Sequence, residues 1–251
     1  EETPEVKMLD ARLELALQLY EKCELAADIG TDHAHLPASL LRHGKCRRMI
    51  LTDISESALK NAEREMVRCR LLDRVELRLG DGLAPLTEAC GMISILGMGG
   101  RTMAEILLRG RKQLRGASLL LSAHTDLERV RRAVMEIDYH VLSETPVRDN
   151  GRFYLMIKAA PGAEPMTASE IRTGKRLADS EAPCLNAYLA HRMDVLREKE
   201  SGLLCAELPD RSRLDEVRED LAVLEAIYSG MNVDLRSFPG LRVRTEMEDR
   251  K

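Results

Sequence analysis

The sequence predicts an α/β protein built on a mostly parallel sheet, followed by a separate pair of helices. Up to about residue 160, short apolar runs alternate with amphipathic stretches. This alternation is typical of parallel strands joined by right-handed crossover helices. The last two strand-like runs, about 139–147 and 152–159, are joined by Asn150-Gly151, which is a strong hairpin signal. After a linker at 161–167 that is rich in proline and glycine, the pattern is helical.

The composition is that of an ordinary globular protein, with 44% hydrophobic and 32% charged residues in 251. No apolar run approaches the length of a membrane span, and the acidic first residues do not resemble a signal peptide. Six scattered cysteines without a C-x-x-C pair predict reduced thiols and no metal site. We therefore expect a cytoplasmic protein without a membrane partner. Because the net charge is −4, nucleic-acid binding would depend on a local basic patch.

The first half of the chain is predicted to begin with an amphipathic helix, because one helical face carries Leu9, Leu13, Leu17 and Tyr20. Strands are expected at 24–29, 48–52 and 75–79. Pro37 is expected to open the helix between the first two strands, which ends near His43-Gly44. Ser55 is expected to cap the next helix, which extends to about residue 70.

In the second half, strands are predicted at 92–96 and 118–122, each followed by a helix, the second of which is capped by Thr125. The terminal hairpin makes the last strand antiparallel on an otherwise parallel sheet. A nicotinamide-type Rossmann domain usually ends in another parallel strand, whereas a Rossmann-like seven-stranded methyltransferase sheet ends in a hairpin of this kind. The predicted fold class is therefore a seven-stranded methyltransferase sheet with a terminal antiparallel hairpin.

Two further helices are predicted by apolar stripes. The clearer stripe steps by three and four through Leu214, Val217, Leu221, Leu224 and Tyr228, and a looser one contains Leu185, Tyr188, Leu196 and Leu203. Pro209-Asp210 separates the two stripes, so we expect a coiled-coil-like α-helical hairpin. The predicted organisation is a binding domain at 1–160, a helical hairpin at 168–230 and a flexible polar tail at 231–251.

The candidate binding residues follow the predicted strands, because ligands of open α/β sheets bind at the carboxyl ends of strands. After the first strand, Asp28 can hold a cationic amino group and Gly30 lets the backbone approach a ligand, although a plain strand-to-helix turn would also use these residue types. Asp53 fits a contact to ribose hydroxyls, with a helix N-cap as the alternative. Asp81 could accept from an adenine amino group or simply form a turn. The absence of G-x-G-x-x-G disfavours a dinucleotide.

After the fourth strand, three glycines lie within the run Gly97-Met98-Gly99-Gly100. Such a run is costly unless the backbone needs positive φ or a close approach to a ligand. Backbone amides that open a helix also suit a polar or anionic ligand. We interpret this loop as functional, at the place where a reacting base would meet a methyl group.

With these residues in view, the chain resembles the bacterial tRNA (adenine-22-N1)-methyltransferases. The resembling motifs are Leu9-x-x-Arg12-Leu13, the run from Asp28-Ile29-Gly30-Thr31-Asp32-His33 to Pro37, Leu79-Gly80-Asp81-Gly82-Leu83 and Gly97-Met98-Gly99-Gly100. The terminal hairpin and the helical pair match as well, and the resemblance weakens after about Gly230. One departure is Ser57-Ala58, where many members carry a Gly-Pro-like pair.

The resemblance implies S-adenosylmethionine as the methyl donor and N1 of an adenine in the D-arm of tRNA as the acceptor. It implies that the donor site is lined by Arg12, Asp28, Gly30, Thr31, His33, Asp53, Ile54, Asp81, Gly82, Gly97, Met98 and Gly99. Adenine N1 has an in-plane lone pair and needs no deprotonation, which agrees with the absence of an Asn/Asp-Pro-Pro-aromatic loop. Asp32 is the candidate for stabilising charge on the ring, with His33 orienting it. A helix-capping Asp and a packing His are the alternative.

Basic side chains that could contact tRNA phosphates are Arg47, Arg48, Arg111, Lys112, Arg115, Arg129, Arg131 and Arg132. The helical hairpin could grip RNA or serve dimerisation, so we expect a monomer or a weak homodimer. The rival hypotheses are a methyltransferase that acts on another RNA, a protein or a small molecule, and a non-catalytic RNA-binding paralogue. A nicotinamide oxidoreductase is disfavoured by the first loop and the terminal hairpin.

Overall fold

The computed structural model describes residues 9–206, 208 and 210–230, which divide into two compact units. The first unit extends to Leu185 and the second begins at Asn186. The acidic amino-terminal residues and the tail that the sequence predicts to be flexible, 231–251, lie outside the described residues. None of the described helices is both long and apolar enough to cross a membrane.

Seven strands and eight α-helices are present in the described part of the chain. The strands are β1 Cys23–Ile29, β2 Cys46–Asp53, β3 Val75–Leu79, β4 Met92–Met98, β5 Ser118–Ala123, β6 Tyr139–Asp149 and β7 Arg152–Pro161. The helices are α1 Ala11–Leu19, α2 His35–Arg42, α3 Glu56–Arg68, α4 Gly100–Arg109, α5 Leu127–Glu136, α6 Ala168–Thr173, α7 Leu185–Leu204 and α8 Arg211–Tyr228. Short 3-10 turns lie at Leu72–Arg74, Arg111–Gln113 and Leu177–Asp179.

The strands form one sheet in the order β3-β2-β1-β4-β5-β7-β6. The first five strands pair in parallel, and β7 pairs antiparallel with both β5 and β6. This confirms the predicted seven-stranded sheet with a terminal hairpin. The chain reverses its direction of travel between β3 and β4, so the carboxyl ends of β1 and β4 border a crevice of the kind that binds ligands in open sheets.

The turn of the terminal hairpin is formed by Asn150 and Gly151, as the sequence predicts. Asn150 has φ 47° and Gly151 has φ 78°, the pair of positive values that a two-residue type I′ turn requires. The turn pairs Asp149 with Arg152, and the ladder continues to Tyr139 and Pro161 with one irregularity between Val141 and Ser143. The Asn-Gly turn therefore sets the register of the whole hairpin.

The core lies on both faces of the central strands. Leu119, Leu120 and Leu121 are consecutive in β5 and fully buried, which is the pattern of a strand covered on both faces. On one side of the sheet, buried residues of α1, α2 and α3, such as Leu17, Leu40 and Met66, pack in one cluster with the strands. Aliphatic side chains therefore fill the interior, in agreement with the scarcity of aromatic residues.

Two predicted helix starts differ from the structure. Pro37 is the third residue of α2, which begins at His35 after the left-handed Ala34. Thr125 does not cap α5; the residue at the cap is Asp126, with φ 53° and no side-chain capping bond. Instead, the Thr125 carbonyl accepts from the amide of Gly100, and a Cβ at Gly100 would lie 2.3 Å from that oxygen. Close packing of α4 against this segment thus sets the start of α5.

The helical part also begins differently from the prediction. Residues 168–184 belong to the first unit. They contain α6, whose amino terminus is capped by a capping box between Thr167 and Glu170. The two long helices are α7 and α8. Ion pairs join Arg197 to Glu225 and Arg218 to Glu200, and the α8 stripe is buried as far as Leu224. The predicted α-helical hairpin is present.

Candidate active site

A cavity of about 490 Å³ opens at the carboxyl edge of the sheet, beside the ends of β1 and β4. Its volume is within the range of small-molecule sites, roughly 300–1,000 Å³. One wall is the loop between β1 and α2, and the opposite wall comes from α1, β7 and the residue after β5. Seven of the residues predicted for the site line it: Arg12, Asp28, Gly30, Thr31, Asp32, His33 and Gly97.

The loop between β1 and α2 has unusual backbone geometry. Gly30, Asp32 and Ala34 all have positive φ, at 74°, 38° and 52°. Such angles are costly for residues with a Cβ and persist only where the surroundings enforce them. The amides of Gly30 and Thr31 donate to the carbonyl of Thr52 at the end of β2, at 2.8 and 3.2 Å. These bonds anchor the start of the loop, which then turns its side chains towards the cavity.

Asp28 is a buried carboxylate that lines the cavity. The Ser94 hydroxyl in β4 donates to its Oδ1 at 2.5 Å, and the Tyr20 hydroxyl lies 3.5 Å from Ser94 Oγ. Burial raises the pKa of Asp28 and the hydrogen bond from Ser94 opposes that rise. The Thr31 hydroxyl is buried beside Asp28 without a hydrogen bond of normal geometry. A cationic group with hydrogens to donate would satisfy both side chains.

Two histidines lie on the loop side of the cavity. The rings of His33 and His35 are stacked, with their centroids 5.7 Å apart. His33 Nε2 lies 3.5 Å from Asp32 Oδ2, and both side chains are more than half exposed. His35 Nδ1 lies 3.5 Å from Glu65 of α3, whose pKa is lowered to about 2, chiefly by the hydrogen bond from Arg68. The structure thus brings Asp32 and His33 together, as the sequence predicts.

The opposite wall contains residues that sequence reasoning missed. Tyr154 of β7 lies beneath the Arg12 guanidinium, whose Cζ is 5.3 Å from the ring centroid. The His124 ring meets Tyr154 edge-on, with centroids 5.8 Å apart. Asp10, the N-cap of α1, lies 3.8 Å from Arg12. These residues come from three distant segments, and only Arg12 belongs to a motif that the sequence singles out.

Six of the predicted site residues do not line the cavity: Asp53, Ile54, Asp81, Gly82, Met98 and Gly99. Asp53 ends β2, and its Oδ1 accepts from the Ser55 amide at 2.9 Å. Ser55 itself caps α3, so the structure excludes Asp53 as the N-cap. Ile54 is strongly exposed. The Gly80 amide donates to the Asp53 carbonyl, so the end of β3 continues the same edge of the sheet.

Packing accounts for several of these residues. Asp81 forms an ion pair with Arg109 at 2.7 Å. Gly82 has φ 56°, and a Cβ there would lie 3.0 Å from Ile106 of α4. A Cβ at Gly30 would lie 3.1 Å from Met98 Cε, so the Met98 side chain fills the space beside Gly30. A Cβ at Gly99 would contact Thr125 at 3.6 Å. The loops after β3 and β4 therefore lie at strand ends and also pack against neighbouring helices and loops.

The basic residues proposed for RNA are not on one surface. Arg131 cannot contact a phosphate, because it is fully buried in an ion pair with Glu144 at 2.7 Å. Its helical neighbour Arg132 is exposed and pairs with Glu128. Five of the candidates precede or begin β2 and β5, and therefore lie at the amino edge of the sheet, opposite the cavity: Arg47, Arg48, Arg111, Lys112 and Arg115. Arg129, in the first turn of α5, is at the cavity edge.

Comparisons with known proteins identify relatives of this chain. The chain is 28% identical over 156 residues to the tRNA (adenine(22)-N(1))-methyltransferase of Bacillus subtilis (strain 168), covering 61% of this chain and 66% of that relative, a little under two thirds of its length. Among solved structures, the m1A22 tRNA methyltransferase TrmK of B. subtilis matches with a TM-score of 0.78 at 23% identity, over 89% of this chain and 100% of that one. TrmK of M. capricolum, solved with S-adenosyl-homocysteine, matches with a TM-score of 0.74 at 20% identity, over 90% and 100%.

At these identities the solved structures establish the fold. The family model described as "Methyltransferase domain" matches residues 9–157, which is more than half of the chain. That stretch contains β1 to β5, most of the terminal hairpin and every residue of the cavity wall. The chain belongs to the methyltransferase domain family.

Proposed function

We propose that this protein transfers a methyl group from S-adenosylmethionine to N1 of adenine 22 in the D-arm of tRNA. The observation that supports the chemistry best is the cavity at the ends of β1 and β4, with the buried carboxylate of Asp28 beside it. The choice of acceptor rests on the family resemblance and on the relative from B. subtilis that is named for this reaction. A tRNA substrate would place the protein in the cytoplasm. We also propose that the protein acts as a monomer or a weak homodimer.

The residues at the carboxyl edge fit this donor. Asp28 and Thr31 offer a buried carboxylate and hydroxyl that suit the ammonium group of a methionine moiety. Asp53 and Ile54, one strand away, would hold the ribose and cover the adenine, and Asp81 and Gly82 follow on the next strand end. Asp81 would have to share its carboxylate with Arg109. Gly97, near the end of β4, lines the cavity between the two halves of the site, and Met98 and Gly99 follow it along the chain without lining the wall.

When bound, the donor supplies a methyl group on a sulfonium centre, which is electrophilic without help from a metal or a base. The protein must place adenine N1 in line with that methyl group and keep water away, so proximity and orientation account for much of the rate gain. N1 attacks through a lone pair that already lies in the ring plane, and no proton has to leave it. The reaction therefore does not require the carboxylates and histidines of the cavity wall to remove a proton from the base.

The product of attack at N1 is cationic, and the cavity contains a group that would stabilise the developing charge. Asp32 is exposed at the cavity mouth on a left-handed residue, with His33 at 3.5 Å to orient it. A preorganised carboxylate of this kind favours positive charge in the transition state. Because the acceptor base is stacked within the tRNA fold, it has to be extruded before it can enter.

The proposal is tested by incubating the protein with labelled S-adenosylmethionine and one of two unmodified tRNA transcripts. The first has adenosine at position 22 and the second has guanosine there. We expect label in the first and background in the second. Equal labelling of both would disprove the target position, and label found only in protein or small molecules would favour the rival methyltransferase classes.

A further inference from the structure

We propose that Arg12, Tyr154 and His124 form the subsite for the acceptor base, with the Arg12 guanidinium as the surface on which the adenine stacks. This inference rests on the proposed function and deepens it. It assigns Arg12 to the acceptor, whereas the family resemblance alone places it among the donor-binding residues.

The three side chains form one continuous wall. Arg12 lies over the Tyr154 ring at 5.3 Å, and His124 supports the same ring edge-on at 5.8 Å. All three line the cavity. Arg12 is supported from below by Tyr154, yet about a fifth of its side chain is exposed. Guanidinium planes and aromatic rings are the groups on which proteins stack unpaired RNA bases.

The strand order assigns this wall to the acceptor. Asp28 and Thr31 follow β1, and Asp53 ends β2, so the donor side extends from β1 towards the β3 edge. Tyr154 and His124 come from β7 and the end of β5, on the other side of β4. A methyl transfer needs two partners that face each other across the cavity. Since Asp28 and Thr31, which suit the donor, lie on one side, the side that carries Tyr154 and His124 remains for the base.

The charge of the wall suits a base that becomes cationic. A bare guanidinium would repel methylated adenine, but Asp10 lies 3.8 Å from Arg12 and offsets its charge. Asp10 is held in place as the N-cap of α1, where its Oδ1 accepts from the Leu13 amide at 2.7 Å. The pair therefore presents a flat group with little net charge, which is favourable for stacking before and after transfer.

Gly97 keeps the approach to this wall open. Its φ is 78°, and a Cβ there would lie 3.6 Å from Arg12 Nη1 and 3.9 Å from His124 Nε2. A side chain that extends beyond Cβ would fill the space in front of both groups. The positive φ by itself favours glycine here, whereas a Cβ at Gly100 would clash with backbone.

The test compares Tyr154→Leu, Tyr154→Phe and Arg12→Lys with Phe153→Leu as the matched control. Phe153 is the neighbouring aromatic residue on the opposite face of β7, outside the cavity wall. For each variant, calorimetry measures S-adenosylmethionine affinity and steady-state assays measure kcat and KM for tRNA. A tRNA with 2-aminopurine at position 22 reports stacking of the extruded base by fluorescence quenching.

We expect Tyr154→Leu and Arg12→Lys to lower kcat/KM for tRNA roughly tenfold or more and to reduce the quenching, with donor affinity kept within about twofold. Tyr154→Phe should lose less than Tyr154→Leu, because it keeps the ring. Phe153→Leu should keep wild-type quenching and donor affinity, and any change in its KM for tRNA would reflect the lost contact with Arg148.

Donor affinity that falls as far as activity would overturn the assignment, as would undiminished tRNA kinetics in Tyr154→Leu. A wild-type protein that binds the donor and methylates no tRNA would instead overturn the proposed function, and this assignment with it.

Discussion

Asp28 occupies a position that costs the folded protein stability. Its carboxylate is buried beside Ser94 and Tyr20, and burial raises its pKa above the ordinary value of 3.8. The folded state therefore binds this proton more readily than the unfolded state. Ionised Asp28 destabilises the fold above its folded pKa, and the cost disappears as the pH falls towards the unfolded value. A residue kept at such a cost points to a ligand of opposite charge.

We expect Asp28→Asn to be more stable than the wild type near pH 7, by on the order of 1 kcal/mol, because the buried charge is gone. Urea unfolding should show this gain shrinking towards zero at about pH 4. Calorimetry should show donor affinity lowered roughly tenfold or more. Asp73→Asn, at an exposed acid on a 3-10 turn, is the control and should change neither quantity. Unchanged donor affinity in Asp28→Asn would contradict the role of this side chain.

Replacing Asp32 should affect turnover and not donor binding, unlike replacing Asp28, because Asp32 is exposed and lies at the cavity mouth. Asp32→Asn tolerates the left-handed backbone and removes the charge. Turnover on tRNA should fall roughly tenfold or more, while donor affinity stays within about twofold, because the charge matters only as the ring becomes cationic. Single-turnover kinetics and calorimetry separate the two effects. Turnover equal to that of the wild type would leave Asp32 with only a structural role.

At the scale of elements, one buried ion pair joins three of them. Arg131 of α5 donates to Glu144 of β6 at 2.7 Å and to the carbonyl of Ile171 in α6 at 3.0 Å. The other Glu144 oxygen accepts from the Arg176 amide at 2.8 Å. A buried charge that loses its partner is costly, whereas an exposed pair contributes little. This network therefore fixes α6 against the sheet.

Arg131→Met should lower the free energy of unfolding by about 3–5 kcal/mol, because it leaves Glu144 buried without a counterion. Arg132→Met, at the next residue of the same helix, removes only an exposed pair with Glu128 and should cost less than about 1 kcal/mol. Urea denaturation monitored by circular dichroism measures both. Adding Glu144→Leu to Arg131→Met should recover part of the loss. Equal losses in the two single variants would refute this account.

The sequence predicts the elements well where a local pattern decides them. Asn150-Gly151 has the backbone angles of its turn, and Ser55 caps α3 through a bond to the Ala58 amide. It fails where a distant contact decides. Thr125 has the residue type of a cap, yet packing against Gly100 moves the cap to Asp126. Arg131 has the composition of a surface residue, and only its buried partner Glu144 shows otherwise.

The candidate site shows the same limit. Asp28, Gly30 and Gly97 are predictable because strand ends concentrate ligand contacts. Tyr154 and His124 are not, because nothing local to β7 or to the end of β5 indicates that both rings meet beneath Arg12. Their positions depend on the register of the hairpin and on the placement of α1, which a single sequence does not reveal.

For the first unit as a whole, basic side chains without ion pairs in the described part of the chain lie at both the cavity edge and the opposite edge of the sheet. The hairpin tip lies at the cavity edge, because β7 is antiparallel to β5. It carries Arg148 and Arg152, and Arg129 begins α5 nearby; none of them forms an ion pair with another described residue. Lys112 and Arg115, also without ion pairs among the described residues, are at the amino edge before β5. On the proposed function, we expect a tRNA that delivers its base into the cavity to contact the first group.

Replacing Arg129, Arg148 and Arg152 singly with alanine should weaken tRNA binding. Each replacement should also lower the slope of log affinity against log salt by about 1 for every phosphate that is no longer neutralised. The matched variants Lys112→Ala and Arg115→Ala should leave both quantities unchanged. Fluorescence anisotropy with labelled tRNA across a salt series measures them. A larger effect of the amino-edge pair would reverse the predicted face of RNA binding.

The identity of the modified atom tests the proposed function most directly. Unmodified tRNA incubated with the protein and S-adenosylmethionine should be digested to nucleosides and analysed by mass spectrometry, with primer extension locating the modified position. We predict 1-methyladenosine at position 22 and its absence when the donor is omitted. N6-methyladenosine, methylation of another nucleotide, or tRNA without any methyl group would contradict the central claim.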